Sequence, residues 1–451
     1  MRRFFALVTG ALALVVLCGT AFTYDGGYYL YRLLADRELF VPNRRTIHGI
    51  LELPTFFAST LTHDHRVFYF TFGLCYISVI LIALLASWWV VRKENPALFL
   101  WAAFGILIAP LPGQVSFISE IIMLMQLAWP LYLGILTRLQ PRHLPIYVLF
   151  GILTFFSYPL SGAIFGIGAV LAFIIGWFRH EQRMIQWTAA AVLMIVAGIA
   201  MVRFVTGINA YESEQLGLGL LLTRVSSSVL PGPVIYLVAA GLAALLLLTP
   251  YFPARWLPAW LTADPARLVR RLMLVMIISA VLWAAIPTLW IDALSYRFFI
   301  IPMSLPFIVA ALIDSLAAHR TPTDDTQRWQ QRRPLIQLIG LTFALVLSIQ
   351  SIYWLFFTTQ LRNTLLTTAQ ACLNTESADI RWTEATALNH WAIAPYALLL
   401  QGNAPRTLVM RDQGCTLYHY NVTTGFLLAD WDWQRWDEGW LDWSTLRERL
   451  R

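Results

Sequence analysis

VFYFTFGLCYISVILIALLASWWVV, residues 67–91, closed by Arg92-Lys93, decides the class of this chain. It is an uncharged apolar run longer than the ~20 residues that cross a bilayer's hydrocarbon core as a helix. A pair of cations at its end is how such a run meets a polar surface. Working outward, comparable runs lie at 4–22, 97–112, 118–137, 144–158, 162–178, 184–206, 233–252, 271–290, 298–317 and 335–357. Together they predict an all-α polytopic membrane protein of about eleven transmembrane helices over 1–357, followed by a small mixed α/β domain over 358–451.

Composition agrees. Of 451 residues, 58% are hydrophobic and only 13% charged, about half the charged share of a soluble domain. The net charge of +7 does not indicate nucleic acid. The cations are spread between apolar runs instead of along one face. With the N-terminus in the cytoplasm, the inner segments hold Arg92-Lys93, then Arg138 with Arg142, then Arg179 with Arg183. Arg255, Arg267, Arg270 and Arg271 follow, and last Arg320, Arg328, Arg332 and Arg333. The short opposite loops, 113–117, 159–161, 207–232 and 291–297, carry few cations, as the positive-inside rule requires of a bacterial inner-membrane protein. Phe4 to Phe22, after Met1-Arg2-Arg3, lacks a small-x-small cleavage site at the right place and reads as a retained first helix. This parity puts the C-terminal domain outside the cytoplasm, where Cys372 and Cys415 would pair as a disulfide. Cys18 and Cys75 lie in apolar runs and read as small core residues.

In the tail, Thr383 to Leu400 is helix-like, while Arg406 to Met410 and Gly425 to Leu428 read as strands. Trp431, Trp433, Trp436, Trp440 and Trp443 alternate with acids. They cap the small domain, lie on the membrane interface, or anchor a protein partner. Residues 321–333 form a polar linker.

There is no P-loop, GxGxxG, HExxH or CxxC. Chemistry must therefore come from polar residues at helix ends. Asp25 follows the first run and precedes Gly26-Gly27 and Tyr28, Tyr29 and Tyr31. Such a carboxylate is desolvated on one side and suits a general base, or it caps the next helix. The long loop 23–66 holds Arg44, Arg45, His48 and Glu52, and then His63-Asp64-His65-Arg66. That last group reads as a polar interfacial collar, as a phosphate contact through His65 or Arg66, or as part of a divalent metal site with His63. Glu120 opens an apolar run, where an acid by default faces a cavity or a partner. Asp292, Tyr296 and Arg297 precede the tenth run, and Arg297 either holds an anionic head group or pairs with Glu120 or Asp292. Arg203, Glu212 and Glu214 lie on the same side. Substrates on that side must be lipid-borne, because nucleotide sugars and ATP are cytoplasmic.

This arrangement resembles the GT-C superfamily of membrane glycosyltransferases. The matching features are Asp25 in Thr23-Tyr-Asp-Gly-Gly-Tyr28, the loop 26–66, Glu120 between the third and fourth spans, and Arg297-Phe-Phe-Ile-Ile-Pro302. Asp25 stands without the adjacent second acid of the commonest family pattern. The resemblance implies amphipathic helices in the first loop and a polyprenyl-phosphate-linked sugar donor. Asp25 would be the catalytic base of an inverting transfer, and Glu120 would orient the acceptor or a bound ion. Arg297 and Tyr296, with His63, His65 or Arg66, would hold the lipid phosphate. A non-catalytic membrane subunit and a lipid-saccharide transporter are the rival readings.

Overall fold

The structure is a computed structural model. It describes residues 1–22, 26, 27, 29, 30, 33, 39, 41, 45–62, 65–111, 119–158, 160–207, 231–251, 265–286, 300–320, 325–367, 371–374 and 408–411. Every apolar run of the sequence is helical over most of its length. In chain order the helices are α1 (Arg2–Leu17), α2 (Ile47–Leu61), α3 (His65–Val91) and α4 (Phe99–Ala103). A 3-10 turn at Pro96–Leu98 leads into α4, and a π-turn at Phe104–Ile108 continues it. Then come α5 (Glu120–Leu136), α6 (Leu144–Ser157), α7 (Ser161–Phe178) and α8 (Arg183–Gly207). Last are α9 (Pro231–Leu247), α10 (Pro265–Ala285), α11 (Ile300–Arg320) and α12 (Asp325–Thr367).

Among the described residues, six helices are long and apolar enough to cross a membrane, with three shorter apolar helices beside them. These are fewer than the roughly eleven spans read from the sequence, and helix length accounts for the difference. α3 has 27 residues and α8 has 25, roughly 40 and 37 Å at 1.5 Å per residue. α1 has 16, α5 has 17 and α6 has 14, only about 21–25 Å. The hydrocarbon layer is about 30 Å thick.

One end of the bundle is fixed by arginines. Asp314 of α11, fully buried, accepts from Arg328 and Arg332 of α12, from Trp101 Nε1 at 2.8 Å and from the Tyr251 hydroxyl at 2.9 Å. Arg179 donates to the Ser315 carbonyl (2.8 Å), the Ser315 hydroxyl (2.6 Å) and the Thr137 carbonyl (3.2 Å). Burial lowers the Arg179 pKa, and Glu94 and Glu181 act against that. Glu94 in turn accepts from the Arg138 backbone N–H at 3.0 Å. The ends of α3, α5 and α7 and the start of α12 therefore share one level. Arg179, Arg328 and Arg332, read from sequence as solvated topology charges, are buried here. Their guanidinium groups close helix ends and stitch four segments together.

From this Arg-rich end the short helices reach only part of the way across. α1 stops at Gly19, whose φ of 70° suits glycine and whose N–H bonds the Val16 carbonyl at 3.1 Å. The π-turn passes so close to Trp129 of α5 that a Cβ on Gly105 would lie 2.1 Å from the indole. α1 packs on α3 and α12, α5 on α3, α6 and α7, α7 on α8, and α9 on α10. The core of this body is aromatic: Trp101, Trp129, Trp354, Tyr132, Phe68, Phe72 and Phe104 are fully buried. The outer faces of α3 and α8 expose Phe70, Leu74, Ile82, Ile195, Val202 and Val205, as lipid-facing helices do.

Of the tail, the structure describes β1 (Ala371–Asn374) and β2 (Leu408–Arg411), paired in parallel with Cys372 opposite Val409. The rest of the mixed domain, the tryptophan-acid segment and Cys415 lie outside the described residues, and so does the Cys372–Cys415 pairing.

Candidate functional site

α2 is built the wrong way round for a helix lying on water. His48, Glu52, Thr55 and Ser59, spaced at helical intervals, are buried, whereas Ile50, Phe57 and Leu61 on the other faces are exposed. An interfacial amphipathic helix would turn its polar face outward. Here the polar stripe faces protein and the apolar surface faces out, with α2 packed antiparallel along the first half of α3.

The stripe begins at a cluster of ionisable groups. Glu120, the first residue of α5 and 3% exposed, is held by three groups from the first loop. Its Oε1 accepts from Arg45 Nη1 at 2.8 Å and from the Tyr29 hydroxyl at 2.9 Å. His48 Nε2 lies 2.7 Å from the same oxygen. On its other side the imidazole meets the Tyr76 hydroxyl through Nδ1. Tyr76 donates to Glu52 Oε1 at 3.2 Å. The Tyr29 ring stands edge-on to His48 at 4.6 Å, and Arg45 lies 5.0 Å over the Tyr158 ring.

Five segments meet here: the stretch around Tyr29, the turn before α2 with α2 itself, the middle of α3, the start of α5 and the end of α6. Tyr76 is ~22 Å along α3 from Val91, and Glu120 is ~24 Å along α5 from Leu136. The cluster therefore sits at one depth, where the short helices stop, and ~16 Å below the start of α3. Among the described residues α3 runs on past this level, and we call this step between the shorter and the longer helices the basin.

Electrostatics favour ionised groups at this floor. Burial opposes charge on Arg45, but the Glu120 carboxylate beside it more than compensates and holds the guanidinium above its ordinary range. Nearby, the buried Ser119 and Thr55 hydroxyls make no hydrogen bond among the described residues. Such atoms suit a water or a polar ligand.

Of the residues singled out from sequence, the structure brings Tyr29, Arg45, His48, Glu52 and Glu120 together. Glu120 pairs with Arg45; Arg297 and Asp292 lie outside the described residues, as do Asp25, His63 and Tyr296. His65 opens α3, and the Arg66 side chain is exposed. Cys372 lies in β1. Arg203 lies 5.4 and 5.2 Å over the rings of Phe155 and Phe156. Tyr76 and Asp314 were missed. Tyr76 hides in an uninterrupted apolar run, with only its i,i+4 distance from Phe72 and Ile80 to place it on a buried face. Asp314 did carry a signal, being a lone acid inside an apolar run. Among the described residues, no group of three or more His, Cys, Asp and Glu side chains is placed to hold a metal ion. Comparison with known proteins finds no family model, curated protein or solved structure that matches this chain.

Proposed function

We propose that this chain is a membrane glycosyltransferase that moves a sugar from a polyprenyl-phosphate-linked donor to an acceptor at the basin end of the bundle. The observation that carries this reading is the grip of the first loop on Glu120: Tyr29, Arg45 and His48 all reach one carboxylate oxygen on the basin floor. Ionisable groups are costly at membrane depth and by default serve a substrate path. The inside-out α2 gives a route by which an acyl tail could stay in lipid while a polar head reaches the buried stripe.

By the positive-inside rule the Arg-rich end lies in the cytoplasm of a bacterial inner membrane, so the basin opens on the outer face. On this reading each of the eleven apolar runs of the sequence is a pass, the short helices ending at the basin floor. The C-terminal domain is then also outside, with Cys372 and Cys415 paired. A lipid-linked donor follows, because nucleotide sugars are absent there. Asp25, four residues before Tyr29, is the general base for the acceptor hydroxyl. Glu120 positions the loop that carries it. Arg297 and Tyr296, with His63, His65 or Arg66, neutralise the departing lipid phosphate.

The test is transfer in isolated membranes, using a panel of radiolabelled polyprenyl-phosphate sugars and the wild-type chain or Asp25→Asn. The expected result is release of label from the lipid by wild type and a loss of ~100-fold or more in the variant, with equal amounts of folded protein. Undiminished transfer by Asp25→Asn would overturn the assignment.

A further inference from the structure

A buried amide in the basin half of α12 stands without a partner among the described residues. Gln350 is 2% exposed, and neither its Oε1 nor its Nε2 makes a hydrogen bond there. Polar side chains near it on the same helix do. Thr342 and Thr358 donate to carbonyls of the preceding turn, at 2.9 and 3.1 Å. Ser351 accepts from Thr20 at 3.1 Å, and the Tyr353 hydroxyl donates to the Ala285 carbonyl at 3.0 Å. A buried polar group left unpaired is rare, and an apolar side chain of the same size would serve packing at least as well.

Helix geometry says where the amide points. Gln350 is 18 residues beyond Arg332, which is five whole turns, so the two share one face of α12 and lie ~27 Å apart along it. The helix keeps its phase over this length, with α1 on an adjoining face from Phe4 beside Gly340 to Gly19 beside Trp354. On the shared face Arg332 donates to the Ala97 carbonyl, at the start of the helical run Pro96–Ile108. That run climbs only ~16 Å. Gln350 therefore points to the side of α4 and its π-turn, but stands ~10 Å beyond their end. α5 packs on the same π-turn, and its Glu120 lies at a similar depth. Ser119, beside Glu120 and 2% exposed, also has a hydroxyl without a hydrogen bond among the described residues.

We infer that Gln350 is a contact for the sugar of the lipid-linked donor, its amide bonding ring hydroxyls at the basin floor; this rests on the glycosyltransferase reading above. The chemistry of the amide selects the class of guest. It offers an acceptor oxygen and two donor hydrogens, and it carries no charge. A phosphate only accepts, which leaves Oε1 unpaired, and an acyl chain satisfies neither atom. A sugar hydroxyl both donates and accepts, so hydroxyls on neighbouring ring carbons answer both ends of one amide. A site built to bond a hydroxyl also rejects a guest that lacks it.

The test is the melting temperature of the full chain in lipid nanodiscs, alone, with bare polyprenyl phosphate, and with each of a panel of polyprenyl-phosphate hexoses and pentoses. Wild type should be shifted further by at least one sugar-bearing lipid than by the bare lipid. Gln350→Met removes both unpaired atoms, so without lipid it should melt no lower than wild type. It should lose most of the sugar-dependent extra shift, with binding weaker by about tenfold. Should Gln350→Met fold poorly, Gln350→Asn, whose amide is drawn back by one carbon, is read in the same way. An extra shift equal in wild type and variant overturns the contact and leaves the glycosyltransferase reading standing; an amide that serves only a buried water gives this result. No extra shift in wild type overturns the contact whatever the transfer assay shows, and absence of transfer removes the glycosyltransferase reading with it.

Discussion

At the level of single residues, the buried ion pairs carry consequences of different size for the two ends of the molecule. Glu120 accepts from Arg45, Tyr29 and His48. Replacing it with Gln leaves Arg45 buried beside a neutral amide. Removing one partner of such a pair costs about 3–5 kcal/mol, so Glu120→Gln should show a clear drop in thermal stability in detergent. Adding Arg45→Met to that variant should recover part of the loss, because no lone charge then remains. A double variant no more stable than Glu120→Gln would contradict the pairing. Asp314 is the stronger case. It answers two arginines at once, and Asp314→Asn should leave little folded chain on size-exclusion chromatography, whereas Asp314→Glu should leave more. Sequence reading found Glu120 because an acid beginning an apolar run is conspicuous. It placed Arg45, His48 and Glu52 in the right loop but gave them no partners. Partnership across 72 or 91 positions of chain has no local trace.

At the level of elements, length and face matter more than helix content. The apolar runs were readable as helices, since an apolar stretch of that size has few other stable forms in lipid. Their ends were not, because an end is set by details such as the left-handed Gly19 after α1. An L residue there is strained by about 1–2 kcal/mol, and Gly19→Ala should lower the melting temperature by a matching amount without changing the helix signal. Gly105→Ala should do more damage, since its Cβ would overlap the rigid indole of Trp129. Overpacking of this kind costs about 1–3 kcal/mol, and Gly105→Ala/Trp129→Phe should restore part of it. The orientation of α2 is testable by labelling. Cysteines at Phe57 and Leu61, exposed on its apolar face, should react with a lipid-soluble thiol reagent, and one at Ser59, 1% exposed, should be protected. The reverse pattern would return α2 to the water surface. The family resemblance implied amphipathic helices in this loop but not which face turns inward. That choice depends on α3 and α5, which supply Tyr76 and Glu120.

At the level of the whole molecule, the chain divides its charges between two ends. One cluster, around Asp314 and its arginines, joins α11 and α12 to α4 and to Tyr251. The other, around Glu120, joins the first loop to α3, α5 and α6. Reporter fusions after residue 207 and after residue 320 check the proposed orientation: an enzyme active only outside the cytoplasm should be active at the first site and silent at the second.

The unequal helices have a further effect on the lipid itself. α1, α5 and α6, of 16, 17 and 14 residues, stand inside a wall that includes α3 and α8 with 27 and 25. A bilayer adjusts to hydrophobic mismatch by thinning where the protein's apolar span is short, at a cost of fractions of a kcal/mol per Å. Where the exposed faces of α1 and α6 meet lipid, a bilayer would thin relative to its thickness beside α8. A phospholipid head group there needs to descend less far to touch protein than it would beside α8 alone. The membrane next to this protein is therefore part of its architecture, and its thickness should set how readily a lipid-borne molecule gets in.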